Sequence, residues 1–195
     1  MIVSAHRVDE PTSLAVVSVN NGQPSYQFYR DGTAERQLNH EILAETTPST
    51  TKIFHVGSIA LIDGEDANLW EQKFCELADQ GVITSLDPNI RELLVKNKQQ
   101  YLDRLDRMSK HANILKLSDE DLNYMSPEAS LGDAFNEICS TTEAQIIVLT
   151  MGAKGARVKA GEISFEVSAA VCNPLVDTVG AGDTFMGTIL AEINE

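Results

Sequence analysis

From Lys52 onward, short apolar runs alternate with amphipathic stretches of helical length. The run Ile146 to Thr150 is apolar almost throughout, as in a strand that is buried on both faces of a sheet. The stretch Asp66 to Gln80 instead repeats apolar residues with the period of a helix, and Gly81 suits its C-terminal cap. Strands separated by helices favour parallel pairing with crossover helices. The alternation therefore predicts an α/β fold with a mostly parallel central sheet.

The same pattern predicts where each element lies. The predicted strands are 53–56, 82–86, 113–117 and 146–150, and the predicted helices are 66–80, around 101–108, near 120–124 and 131–139, and 185–193. Gly155 to Val167 breaks the rhythm with two short strands around Ala160-Gly161. We expect these two strands to form an antiparallel hairpin at the edge of the sheet.

An earlier hairpin is predicted before this alternation begins. Ser13 to Val19 is β-branched and apolar, Asn20-Asn21-Gly22 supplies residues that accept positive φ, and Tyr26 to Arg30 shows aromatic alternation. We expect this hairpin to project as a lid rather than join the central sheet. The predicted organisation is a β lid segment over residues 1–40 and an α/β core over residues 41–195.

Composition narrows the classes of function. A formal net charge of −14 at pH 7, with no basic stripe, argues against nucleic acid and anionic membranes as partners. The sequence has neither an apolar run of membrane-spanning length nor a signal-peptide pattern at its N-terminus, so we expect a cytoplasmic protein. Cys75, Cys139 and Cys172 lack disulfide or zinc spacing and are predicted to be small buried residues. The four histidines are scattered, without the spacing of metal ligands.

The most informative segment is Asp177 to Phe185 (DTVGAGDTF), which leads into the last predicted helix. Two glycines let a backbone approach a ligand closely, and a helix N-terminus offers unpaired N–H groups to an anion. A carboxylate at Asp183 could accept a proton from a nearby hydroxyl. Alternatively, Asp183 only caps the helix and the glycines only form a turn.

This segment resembles the signature of ribokinase-like (PfkB-type) carbohydrate kinases, DTxGAGD followed by Thr or Ser and Phe. The resemblance implies a three-layer fold with a small β lid, and it implies phosphoryl transfer from ATP to a sugar. By the same resemblance, Asp183 is the catalytic base and also touches the sugar, while the backbone of Gly180, Ala181 and Gly182 stabilises charge on the transferred group. The implied cofactors are ATP and Mg²⁺, with a monovalent cation as a further candidate.

Two further segments match the family in its order along the chain. Asp87 to Arg91 (DPNIR) resembles the DPNxR segment of fructokinases and 2-keto-3-deoxygluconate kinases, which implies that Asn89 and Arg91 bind ATP and that Arg91 also binds substrate; a proline turn is the alternative. Ser118 and Asp121 occupy the place of the family's Asn-x-x-Glu motif. The resemblance implies a nucleotide contact for Ser118 and indirect support of the metal by Asp121, whereas a helix capping box explains the same residues.

The loop after the fourth predicted strand resembles the family's TxGxxG loop, which implies that it lines the ATP site. The residues assigned to ATP binding in this loop are Gly152, Ala153, Lys154, Gly155 and Arg157. A Walker A pattern is absent from the sequence, which disfavours a P-loop NTPase.

The end of the early hairpin resembles the lid of fructokinases and ketodeoxygluconate kinases, which implies that Tyr29 and Arg30 approach the sugar. Cross-strand packing of the aromatic residues in a dimer is the alternative. Because a two-stranded ribbon needs a surface to cover it, we expect a homodimer through the lid.

The segments that precede and follow these motifs in the family have no counterpart here, so we expect a fragment or a truncated product. The function predicted first is a fructokinase, and 2-keto-3-deoxygluconate kinase comes second. A rival from another class is a non-catalytic remnant that binds a nucleotide or a partner subunit.

Overall fold

The structure is a computed structural model that describes residues 7–20, 23–174 and 177–195. Its strands are β1 (Leu14–Asn20), β2 (Gln23–Tyr29), β3 (Ile53–Gly57), β4 (Ile83–Asp87), β5 (Ile114–Ser118), β6 (Ile146–Thr150), β7 (Ala156–Ala160) and β8 (Ile163–Val167). Its α-helices are α1 (His40–Thr46), α2 (Gly64–Asp79), α3 (Lys98–Ser109), α4 (Asp119–Met125), α5 (Leu131–Thr141) and α6 (Ala181–Asn194).

Among the described residues, β3 to β8 form a six-stranded sheet in sequence order. Strands β3 to β6 pair in parallel, and β7 and β8 add antiparallel at one edge. A parallel connection must cross back over the sheet, and the helices between these strands provide that crossover. The predicted α/β fold, its parallel sheet and its antiparallel edge hairpin are therefore confirmed.

The main apolar core lies between the sheet and helices α2 to α5. Its buried side chains include Val56, Leu86, Leu115, Leu117, Ile147 and Leu149 from the strands and Phe74, Tyr101, Leu105 and Phe135 from the helices. The strand residues of this set come from alternate positions, as expected when one face of each strand contacts the helices. Burial of these side chains supplies most of the driving force for folding.

Helix α6 lies on the other face of the sheet. Ile114, Lys116 and Val148 alternate with the core residues, so they point away from α2 to α5, and all three are buried. A Cβ atom placed on Gly182 of α6 would lie 3.6 Å from Nζ of Lys116. The sheet is thus sandwiched between two helical layers, which confirms the predicted three-layer arrangement.

Strands β1 and β2 pair only with each other among the described residues, in an antiparallel register that joins Leu14 to Tyr29. The hairpin is therefore separate from the central sheet, as predicted. At its base, the Ser13 hydroxyl donates to Glu35 over 3.1 Å. The predicted turn residues Asn21 and Gly22 lie outside the described residues.

Several local expectations were wrong. Helix α1 was not predicted. Leu43 is its one buried residue, and a short helix with one buried apolar residue shows no helical repeat of apolar residues in the sequence. The Asn39 side chain caps the helix by accepting from the amide of Ile42. Helix α6 begins at Ala181, earlier than predicted. Cys172 is exposed in the loop after β8, and the other two cysteines are half-buried rather than buried. In the described parts of the chain, no helix combines the length and the apolar character needed to cross a membrane.

Candidate active site

The carboxyl ends of β3 and β4 meet in close backbone contact. A Cβ atom on Gly57, the last residue of β3, would overlap the carbonyl oxygen of Asp87, the last residue of β4. No residue other than glycine can occupy this position without moving one of the strands. This contact places the loops that follow the two strands side by side.

Those two loops hold the non-glycine residues with positive φ in the described chain. Ser58 has φ 54° and Asn89 has φ 39°. The amide of Ser58 donates to the carbonyl of Pro88 over 3.0 Å, and its hydroxyl donates to the carbonyl of Asn89 over 3.4 Å. Sparsely populated backbone conformations persist where the surrounding structure fixes them, and they cluster at functional sites.

A buried ion pair lies beneath this edge of the sheet. Nζ of Lys116 in β5 donates to both carboxylate oxygens of Asp87, at 3.0 and 2.8 Å. Lys116 is 4% exposed and Asp87 is 5% exposed. Burial raises the pKa of Asp87, and the Lys116 ammonium opposes that shift. The pair therefore places two compensating charges inside the fold.

His55 of β3 extends the polar cluster on the same face. Its Nδ1 lies 3.0 Å from the hydroxyl of Ser85 on β4. Partial desolvation lowers the pKa of His55, while the carboxylates of Asp87 and Asp183 oppose that shift and the Lys116 ammonium adds to it. The imidazole is therefore mainly neutral at pH 7.

The glycine-rich segment forms the start of α6. Gly180 precedes the helix with φ 77°, the side chain of Asp177 accepts from the amide of Val179 over 2.9 Å, and the amide of Thr184 begins the helical hydrogen bonds by donating to Gly180. The first turn of a helix leaves amides without intrahelical partners. Asp183 lies in that turn and is exposed, so its carboxylate is accessible to a ligand.

The start of α6 lies directly over the buried ion pair, because Gly182 faces Nζ of Lys116. The structure thereby brings together the catalytic residues predicted from the DTVGAGDTF segment and the DPN segment that ends β4. An exposed carboxylate, a helix N-terminus and a buried cation converge at one place. This arrangement can hold an anion and accept a proton beside it.

Ser118 and Asp121 form a complete capping box at the start of α4. The Ser118 hydroxyl accepts from the amide of Asp121, and the Asp121 carboxylate accepts from the amide of Ser118. The second oxygen of Asp121 accepts from the amide of Ile90 over 2.7 Å, which ties the DPN loop to the start of α4. The capping alternative is confirmed, and the predicted roles of these residues toward ATP and metal remain predictions. Within the described ranges, no cluster of three or more His, Cys, Asp or Glu side chains could hold a metal ion.

The predicted ATP loop after β6 is a short 3-10 helix, Gly152–Lys154, with exposed residues. Gly155 follows with φ 96° and packs against the carbonyl of Val167 so closely that a Cβ would overlap it. Arg157 lies within β7, with its guanidinium 5.1 Å from the ring centroid of Phe135 on α5. Its side chain is thus on the face opposite α6, apart from the start of that helix.

Tyr29 and Arg30 lie at the base of the hairpin. Tyr29 is exposed, whereas Arg30 is buried and donates to Glu35 over 2.6 Å and to the carbonyl of Ile59 over 2.8 Å. Because Ile59 follows the end of β3, these bonds fix the hairpin to the same edge of the sheet as Asp87. A crevice of about 490 Å³ opens at this junction; its charged lining residues are Arg30, Asp31, Arg36, Asp63 and Lys96.

Several residues of this site were missed by sequence reasoning, namely His55, Gly57, Ser58 and Lys116. A charged residue in the middle of a buried strand is rare unless it is paired, and Lys116 within the run ILKLS carried that signal. Gly57 and Ser58 carried none, because their importance depends on a contact with a strand that lies some thirty residues away in the sequence.

Comparison with known proteins decides the family. A family model described as pfkB family carbohydrate kinase matches residues 3–195. The chain belongs to the pfkB family of carbohydrate kinases. The fructokinase of Rhizobium leguminosarum bv. trifolii is 36% identical to this pfkB-family chain over 183 residues, which cover 94% of the chain and 55% of the relative. Probable fructokinase-2 of Arabidopsis thaliana is 30% identical over 189 residues, with 93% and 55% covered.

Solved structures agree with this assignment. A double mutant of fructokinase from Vibrio cholerae O395, in its fructose, ADP and potassium ion bound form, matches with a TM-score of 0.76 and 28% identity over 90% of this chain and 56% of that one. Fructokinase from Xylella fastidiosa with bound ATP also matches with a TM-score of 0.76, at 26% identity over 91% and 55%. The α/β fold of this pfkB-family chain is therefore ribokinase-like. The chain spans about 55% of the length of these relatives.

Proposed function

We propose that this chain belongs to an ATP-dependent fructokinase, in which Asp183 and the start of α6 carry out phosphoryl transfer. One observation carries the proposal. The exposed carboxylate of Asp183 lies in the first turn of a helix whose N-terminus faces the buried Lys116 and Asp87 pair. A proton acceptor beside a site that favours anions is what transfer of a phosphoryl group to a hydroxyl requires.

In the proposed reaction, Asp183 accepts the proton of a sugar hydroxyl as that oxygen attacks the γ-phosphorus of ATP. The bond between the γ-phosphorus and the bridging oxygen breaks, and ADP leaves. Negative charge on the transferred group meets the backbone of Gly180, Ala181 and Gly182. The positive end of the helix dipole favours charge at that position. The helix thus supplies both the base and its neighbouring anion cradle.

The remaining predicted ATP contacts extend from this cradle in two directions along the edge of the sheet. Asn89 and Arg91 follow β4, and the loop that contains Gly152 and Lys154 follows β6. When bound, Mg²⁺ would neutralise the phosphates; it takes most of its ligands from phosphate and water, which suits a site whose Asp121 oxygens already accept backbone amides.

The fructokinase relatives support fructose as the sugar, since the relative from Vibrio cholerae is described with fructose and ADP bound. The buried Arg30 is held by Glu35 and Ile59 at the base of the hairpin, and Tyr29 beside it is exposed toward the crevice. We place the sugar between the hairpin end that carries Tyr29 and Arg30 and the carboxylate of Asp183.

A coupled assay of ADP release tests the proposal on the product of the whole reading frame. We expect turnover with fructose in the presence of ATP and Mg²⁺. Turnover with 2-keto-3-deoxygluconate instead of fructose would support a sugar kinase but contradict fructose as its substrate. ATP binding without turnover on any sugar would favour the non-catalytic alternative and contradict the proposal.

A further inference from the structure

Lys116 is buried in the middle of β5, between two residues of the apolar core. Leu115 and Leu117 point to the α2 to α5 face, while the Lys116 side chain points to the α6 face and is 4% exposed. Removing an ammonium from water is costly unless it is paired and hydrogen-bonded. Replacing a buried ion pair by apolar residues is often neutral or stabilising. Stability therefore gives no sufficient reason for the Lys116–Asp87 pair.

The position of the ammonium suggests a different role. An ammonium has three N–H donors, and Asp87 takes bonds from one side of it at 3.0 and 2.8 Å. Gly182 is also close, because a Cβ atom placed on it would lie 3.6 Å from Nζ. Lys116 therefore lies near both the end of β4 and the start of α6.

The charges at this contact come from a helix N-terminus and from ionisable side chains. The N-terminus of α6 is partially positive, and an ammonium directly beneath it adds to that positive potential. Asp87 pairs with the ammonium, and burial lowers the pKa of His55. The carboxylate of Asp121 also acts on Asp87, and Asp183 lies in the first turn of α6 with an exposed side chain. The helix N-terminus and the Lys116 ammonium therefore place positive charge together at the start of α6.

We infer that Lys116, oriented by Asp87, is a positioning residue for the anion cradle of α6. Lys116 lies on the sheet side of Gly182 and holds the start of α6 in place. Its charge strengthens the positive potential that the transferred phosphoryl group meets. This inference rests on the proposed phosphoryl transfer. Lys116 acts through the loop, and its effect is therefore greatest when charge develops on the transferred group.

The test compares Lys116→Met with Lys110→Met in the product of the whole reading frame. Met keeps the length and apolar stem of Lys116 and removes its charge. Lys110 forms an exposed pair with Asp106 at 2.7 Å on the end of α3 and serves as the matched control. For Lys116→Met we expect a fall in kcat of about 10- to 100-fold, the scale for residues that orient a reacting group, with the sugar KM nearly unchanged.

Affinity measurements separate positioning from a merely structural role. Lys116→Met should bind ADP with aluminium fluoride about tenfold more weakly than the parent, and it should bind ADP alone with similar affinity. Lys116→Arg should recover part of the loss. A merely structural role would lower Tm while leaving kcat per folded molecule and the aluminium fluoride affinity unchanged, and that result would overturn the inference.

A second variant covers the case in which Lys116→Met fails to fold. Replacing both partners, with Lys116→Met and Asp87→Leu together, leaves no unpaired buried charge and should restore folding. We expect the double variant to remain slow. Recovery of parental kcat would show that the pair serves folding alone.

Failure of the proposed function can be recognised separately. If the parent phosphorylates no sugar, calorimetry with inorganic phosphate decides the inference. Binding by the parent that weakens about tenfold in Lys116→Met supports the cradle, at the scale of one charge-assisted interaction. Equal binding by the two proteins, or no binding by the parent, overturns it.

Discussion

Gly57 at the end of β3 lies so close to the carbonyl oxygen of Asp87 at the end of β4 that a Cβ atom would overlap it. This contact sets the distance between the two loops that carry Ser58 and Asn89. The same strand end holds the carboxylate that pairs with Lys116. A single glycine therefore controls how the edge of the sheet presents its polar residues.

The first prediction concerns that glycine. Gly57→Ala should lower the free energy of unfolding by about 1–3 kcal/mol, the usual cost of forcing extra volume into a packed site. Urea denaturation measures the change. Gly132→Ala is the control, because its Cβ would meet only the Ser130 hydroxyl at 4.0 Å. In helix α5 that control should be neutral or slightly stabilising. Equal stability of the two variants would show that the strand ends can separate freely.

The second prediction concerns pH. Folding lowers the pKa of His55 below its ordinary value of 6.5. As pH falls below 6.5, the unfolded chain therefore binds more protons at this residue than the folded chain does. The contribution of His55 to stability is present above that value and is lost as pH falls toward the folded pKa. Unfolding at pH 7.5 and pH 5.5 should show a smaller loss of stability in His55→Asn than in the parent. His40→Asn, at an exposed position on α1, should behave like the parent. Identical losses in all three proteins would contradict the shift.

The third prediction concerns self-association through the hairpin. Leu14, Val16, Val17 and Tyr29 are exposed on this two-stranded sheet. A hairpin with exposed apolar residues is marginal alone and is stabilised by a covering surface. We expect a homodimer in light scattering, and Val16→Lys should shift it toward monomer. Leu93→Lys, on an exposed 3-10 turn of the core, should leave the dimer intact. A monomeric parent at high concentration would contradict the prediction.

The parts of the fold that local pattern specifies were predictable. Strand β6 is apolar and buried, so its limits follow from the sequence, and the capping box of Ser118 and Asp121 is readable from its spacing. The cradle at the start of α6 was predicted because glycines and a carboxylate have direct physical consequences at a helix N-terminus.

The parts that depend on long-range contacts were not predictable. Gly57 meets Asp87 only after the β3–α2–β4 crossover has formed. Lys116 could have been recognised as a buried charge, but neither its partner nor its closeness to Gly182 follows from the pattern. The side chain of Arg157 was expected beside ATP because of its place after a glycine loop. Its contact with Phe135 does not follow from the local pattern, and its role toward ATP stays a prediction.

The fourth prediction, and the most direct test of the account, is the turnover of Asp183→Asn with fructose and ATP. The amide keeps the shape of the side chain in the first turn of α6 but cannot accept the proton of a sugar hydroxyl at neutral pH. We expect kcat to fall by about 10²–10⁴-fold, the scale for loss of a general base. Calorimetry should show that ATP affinity is largely retained. Parental turnover in Asp183→Asn across neutral pH would contradict the account.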